Sequence, residues 1–140
     1  MVSADRERLP VFVYGTLRPG QRNHAAFLRG RTVGEEPARM RGAVLFEGPG
    51  YPYAVPDATG EIFGDLVHLA ADQHDGVLAA LDRLEGSLPG GPGRHYVRVE
   101  RPVLTEGGEP ARAWVYLAGD EVARRLRAVG TRIPGGRWPA

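Results

Sequence analysis

The chain has 140 residues and a mass of 15.2 kDa, the size of a single domain that buries roughly two thirds of its unfolded surface. All 18 basic residues are arginine, the formal net charge is +1 and cysteine is absent, which excludes disulfides, thiolate metal sites, thiol nucleophiles, Schiff-base lysines and a Walker lysine. Serine occurs only as Ser3 and Ser87, neither of them in a G-x-S-x-G elbow.

Met1 to Arg8 is charged and leads into no secretory apolar core, and the longest apolar runs are strand-sized. A cytoplasmic protein is expected, with one domain over 1–140 and flexible tails at 1–8 and 133–140. Leu9 to Tyr14 is a short apolar, β-branched run that predicts a buried strand. Gly15 to Gly20 breaks into a loop, and Asn23 then reads as the N-cap of a short helix over His24–Leu28 closed by Gly30. Arg39–Glu47, Tyr51–Val55 and Glu61–Leu69 read as strands. Pro52 and Pro56 suggest an edge, and Gly64 suggests a bulge or close backbone approach.

Val77, Leu78, Leu81 and Leu84 recur at helical spacing and predict a helix over Gln73–Leu84. Asp72 suits its N-cap, Asp75 its first turn and Gly86 its C′ position. A Gly/Pro-rich loop follows, and then two strands, Tyr96–Leu104 and Ala111–Leu117, joined by a turn at Glu106–Glu109. Asp120 can cap a last helix through Leu126, and Trp138 alone suits docking of the tail. Strands outnumber helices without β-α-β alternation, so the expected fold is α+β, a small mixed or antiparallel barrel-like sheet with a few short helices.

Two places could carry chemistry. After the first strand, Gly15-Thr16-Leu17 offers successive backbone N–H groups, which can form an anion-binding concavity. The same spacing also suits a plain strand-to-helix turn. Glu85 ends the predicted helix, where the macrodipole and partial burial beside Leu81, Leu84 and Leu88 both disfavour its ionised form. A carboxylate raised in this way can serve as a general base near neutral pH, although a solvated glutamate at a frayed helix end is the commoner arrangement. Arg83, Arg94 and Arg98 are close enough in sequence to offset the rise. The histidines at 24, 68, 74 and 95 lack zinc-site spacing; His68 reads as packed on its strand and His74 as a surface residue, and no metal site is expected. The arginines at 18, 22, 29, 31, 39 and 41 could form a stripe for phosphate or nucleic acid, but Glu35 and Glu36 dilute it to a solvated face.

Tyr14-Gly15-Thr16-Leu17-Arg18-Pro19-Gly20 with Asn23-His24 resembles the signature loop of the gamma-glutamylcyclotransferase-like family. Leu81-Asp82-x-Leu84-Glu85-Gly86 followed by Tyr96-x-Arg98 resembles the second signature of that family, and Gly50-Tyr51-Pro52 and Gly60-Glu61-Ile62-Phe63-Gly64 match in order. The resemblance covers about Leu9 to Leu117. It implies a mixed barrel-like fold with a cofactor-free cavity, in which a γ-glutamyl group is cyclised to 5-oxoproline and its amine released. Glu85 would then be the proton acceptor, Tyr14, Gly15, Thr16 and Leu17 the substrate-binding loop, and Tyr96 and Tyr116 pocket walls. The expected partner is a small γ-glutamyl molecule, with neither nucleic acid nor membrane, and the oligomeric state stays open. A non-catalytic module binding a small ligand in the same cavity is the alternative.

Overall fold

The computed structural model describes residues 8–86 and 95–139. Among them the elements are β1 (Val11–Val13), α1 (Arg22–Phe27), β2 (Thr32–Glu47), β3 (Pro52–Leu69), α2 (His74–Leu84), β4 (Tyr96–Thr105), β5 (Pro110–Ala118), α3 (Asp120–Val129) and a 3₁₀ turn at Pro134–Gly136. The strands close a barrel in the order β1-β3-β2-β4-β5. Every pairing is antiparallel except β1 with β5, where Val11 meets Trp114 in parallel. The fold is thus the mixed barrel-like α+β sheet expected from the sequence.

The continuous apolar run of β1 has a simple physical basis. Side chains alternate across a strand, so Val11 and Val13 join the core under α2 and α3 with Val77, Leu81 and Val122. Phe12 and Tyr14 point the other way, into a second cluster with Leu45, Ile62, Leu66 and Val115. Both faces are buried, so neither can be polar.

β2 and β3 form one long hairpin, from Thr32 paired with Leu69 to Glu47 paired with Pro52, with a register shift between Arg41 and Ala43. Tyr51–Val55 and Glu61–Leu69 are therefore parts of one strand rather than two. Pro52 and Pro56 pair with β2 only, since β1 meets β3 at Asp65–Val67; both prolines occupy the edge-like half of β3, where a missing N–H costs no ladder bond.

Several boundaries differ from the sequence reading: β2 begins at Thr32 rather than Arg39, the last helix runs to Val129 rather than Leu126, and all three helix starts move. Gln21, not Asn23, caps α1, and no side chain bonds that cap; the Asn23 amide is instead drawn to Thr16 Oγ1 at 2.9 Å. Gln73 replaces Asp72 at the start of α2. Gly119 precedes α3, leaving Asp120 in its first turn, where an acidic side chain favours the helix N-terminus. The end of α2 falls as expected, with Glu85 at the C-cap and Gly86 beyond it at φ 67°.

The segment 133–139, expected as part of a flexible tail, packs against the barrel. Ile133 is buried and donates its N–H to Leu45 O at 2.8 Å. The Arg137 guanidinium lies 4.0 Å from the Phe63 ring centre, and Trp138 O accepts from Arg18 Nη1 at 3.1 Å. Trp138 is thus one of several anchors. His74 is also corrected: it is 2% exposed, with Nε2 3.0 Å from Leu9 O and Nδ1 3.3 Å from Asp75 Oδ1. His68 is half-exposed on β3, 3.0 Å from Glu36 Oε2.

Candidate active site

β1 ends at Tyr14 and releases the chain into a tight loop. Arg18 N–H closes on Gly15 O at 3.1 Å, Gln21 N–H on Arg18 O at 2.9 Å, and Asn23 N–H on Thr16 O at 3.0 Å. These bonds consume carbonyls. Among the described residues the N–H groups of Gly15, Thr16 and Leu17 meet no backbone or side-chain acceptor. All three residues are buried, and a buried N–H without an acceptor is costly unless a ligand or water takes it. Gly15 packs on Pro52 so closely that a β-carbon there would sit 2.9 Å from Pro52 Cδ.

The end of α2 arrives from the other side. Its apolar stripe, Val77, Leu78 and Leu81, docks the helix on the barrel and carries Glu85 over the exit of β1. A cavity of about 320 Å³ lies between, lined by Tyr14 to Leu17, Arg22, Asn23, Tyr51, Pro52, Arg83 to Gly86, His95, Tyr96 and Tyr116, with Phe12 and Val13. Every site residue singled out from the sequence therefore faces one space. The loop expected over 86–93 lies, beyond Gly86, outside the described residues, as does Arg94.

Burial pushes the Glu85 carboxyl from its ordinary 4.5 up to about 7. That is the direction expected from sequence, and among the described residues no arginine offsets it: Arg98 is held by Asp82, with Nε 2.8 Å from Oδ1 and Nη2 3.1 Å from Oδ2. The surrounding phenols of Tyr14, Tyr53, Tyr96 and Tyr116 are all raised, chiefly by burial and further by the nearby Glu85 charge. They stay neutral, and three of their protons are committed. Tyr14 OH donates to Tyr116 O, Tyr96 OH to Pro52 O at 2.7 Å and Tyr116 OH to Asp82 Oδ1 at 2.7 Å. Tyr14, Tyr96 and Tyr116 are thus fixed walls rather than mobile proton donors.

Asp82 is the residue that sequence reasoning passed over. Its carboxylate ties α2 to β4 through Arg98 and to β5 through Tyr116, which fixes the helix end carrying Glu85. The signal was present, because Asp82 and Arg98 both stand in the second signature. Replacing Asp82 by Asn removes an acceptor from a partly buried guanidinium and is expected to destabilise the fold by about 2 kcal/mol. The urea midpoint measures this, and an unchanged midpoint would refute the tie.

The arginine stripe is divided among separate tasks. Arg18 pairs with Asp65 at 2.8 Å, and Arg39 and Arg41 both approach Glu61. Among the described residues no group of three or more His, Cys, Asp or Glu side chains could hold a metal ion, and no helix is long and apolar enough to cross a membrane.

Comparison with known proteins decides the lineage. The model of the family described as gamma-glutamyl cyclotransferase, AIG2-like, matches residues 11–140. The chain belongs to this family. Among solved structures, an uncharacterised protein from Pyrococcus horikoshii is similar at 25% identity, TM-score 0.62, over 93% of this chain and 89% of that one. An AIG2-like protein from Mus musculus shares the fold at 23% identity, TM-score 0.57, over 79% and 77% of the two chains. A gamma-glutamyl cyclotransferase does so at 21% identity, TM-score 0.58, over 79% and 66%. No curated protein matches the chain. The two segments that carried the resemblance to gamma-glutamyl cyclotransferases, one at the exit of β1 and one at the end of α2, both border the cavity.

Proposed function

We propose that this protein is a γ-glutamyl cyclotransferase, converting a γ-glutamyl amide to 5-oxoproline and the free amine with Glu85 as general base. The observation that carries the reading is a half-buried carboxyl raised to about 7 in the same cavity as three unengaged backbone N–H groups.

The reaction needs no protein nucleophile, which suits a chain without cysteine or lysine. The substrate's α-amine attacks its own γ-carbonyl carbon, the C–N bond of a five-membered ring forms, and the bond to the departing amine breaks. Both reacting groups are tethered in one molecule, so holding the folded-back conformer supplies much of the orientation. The amine arrives as an ammonium, and ionised Glu85 takes one proton from it and returns that proton to the departing nitrogen. The ring nitrogen, which still carries two protons after attack, loses the second through the same carboxylate, and the product amine leaves as an ammonium. Buried amides of Gly15 to Leu17 hold the α-carboxylate or the developing oxyanion, and losing one such donor in comparable sites costs roughly 3–4 kcal/mol. The neutral phenols of Tyr14, Tyr96 and Tyr116 wall the site and keep water from Glu85, which maintains its raised pKa.

The direct test is mass-spectrometric screening of γ-glutamyl amides for 5-oxoproline. Its absence across γ-glutamyl amino acids, peptides and alkylamines alike would defeat the reading. The base must be ionised to accept a proton, so turnover is expected to rise with pH through about 7 and then level off. A profile flat from pH 5 to 9 would remove Glu85 as the base.

A further inference from the structure

We infer that the mouth of this cavity is an anion subsite, where the guanidinium groups of Arg22 and Arg83 bind a carboxylate carried by the departing amine. The inference rests on the cyclotransferase reading for what fills the floor of the site, and it adds what the outer half selects.

Two arginines line the cavity, and among its described lining residues the one carboxylate is Glu85. Both arginines are exposed, and among the described residues neither forms an ion pair. Arg22 is nonetheless fixed. Its Nη2 donates to Gly50 O at 2.8 Å, so the side chain reaches from α1 to the turn between β2 and β3, beside Tyr51. Bound there by one N–H, a guanidinium keeps further donors for a planar carboxylate. Arg83 stands on the last turn of α2 and lines the same cavity.

Exposure separates these charges from the base: Arg22 and Arg83 are exposed, whereas Glu85 is half-buried and its carboxyl is raised by burial.

With the glutamyl half turned in towards Glu85 and the loop amides, the rest of the departing amine must extend to this mouth. A cavity of about 320 Å³ lies at the small end for ligand sites and fits a glutamyl group with a short second unit. Two guanidiniums favour an amine with a carboxylate and disfavour one with a second ammonium. The substrate class is therefore a γ-glutamyl amide of an amino acid rather than of a diamine.

The test compares γ-glutamylglycine, its neutral analogue γ-glutamylglycinamide and the cationic γ-glutamyl-ethylenediamine, by turnover and by calorimetric Kd. γ-Glutamylglycine is expected to be favoured over the amide by about tenfold, mainly in KM, with the diamine derivative weakest and the preference shrinking as salt is raised. In Arg22→Gln/Arg83→Gln the ratio should fall towards one. Equal Kd values for acid and amide in the unaltered protein would overturn the subsite. So would an equal loss for both ligands in the variant, since the arginines would then serve the glutamyl half. Absence of turnover with the Kd ratio intact would reject the cyclotransferase reading and leave the anion subsite standing.

Discussion

Glu85→Gln is expected to lower turnover by about 100- to 10,000-fold, the usual contribution of a positioned base, while making the folded protein more stable at alkaline pH. The two effects share one cause. The folded-state pKa of Glu85 is raised from 4.5 to about 7, so between those values the native protein binds more protons than the unfolded chain. Stability therefore falls as pH rises through this window and stays lower above it. Glutamine keeps the shape, cannot ionise and escapes that loss. The stability difference should be absent near pH 4, grow through neutrality and reach a few kcal/mol above it. A merely structural glutamate would behave differently: its replacement would destabilise the fold, or leave turnover intact. Paired measurement of 5-oxoproline release and urea midpoints across pH separates the cases. Full activity in the variant would remove Glu85 from the chemistry.

A group that is costly to ionise and still retained in a cavity is what a trade between stability and activity produces. The chain itself shows why both halves of the site could be read from sequence. The exit of β1 announces itself by composition, because an alternating, fully buried strand must stop where Gly15 and Pro19 intervene. The end of α2 is equally local: Val77, Leu78 and Leu81 mark its buried stripe, and Gly86 its termination. Local rules reach as far as the neighbouring turn.

They do not reach partners far along the chain. His74 looks like a first-turn surface residue until Leu9 O, 65 positions earlier, takes its Nε2. Asp82 resembles any solvated helical carboxylate until Arg98 and Tyr116 meet it from two different strands. Pro56-Asp57-Ala58-Thr59 has the composition of a turn. β3 nonetheless continues through it as a bulge: residues 57–60 have no partner on β2 where the register shifts, Asp57 Oδ1 accepts from Thr59 N–H at 2.9 Å, and Val55 and Gly60 stay buried while the residues between them largely face outward. The Gly- and Pro-rich end reads as a loose tail because its anchors, Leu45, Phe63 and Arg18, belong to other elements. What sequence omitted is therefore one class of information, the long-range pairing that turns separate elements into a single wall around Glu85.

Gly64→Ala should be the most damaging single-methyl change in the barrel, at about 3 kcal/mol. Gly64 lies opposite Ala38 on β2, at the point where β3 passes beneath the end of β1. A β-carbon at this position would lie 2.0 Å from Val13 O and 3.1 Å from Tyr14 Cα. The obstacle is backbone on a neighbouring strand, so no side-chain rotation relieves it, and β1 must lift from β3. The last residues of β1 would move first, and these lead into the Gly15–Leu17 loop. The same methyl group should accordingly depress turnover beyond what lost stability explains, with the KM for γ-glutamylglycine rising under conditions where the variant is still folded. Gly107→Ala is the matching control. It lies in the turn between β4 and β5 with nothing within 4 Å of the added carbon, and it should stay within about 0.5 kcal/mol of the parent. Equal urea midpoints for the two variants would show that β1 does not press on Gly64, and the loop amides would then lack the rigid support that holds them towards Glu85.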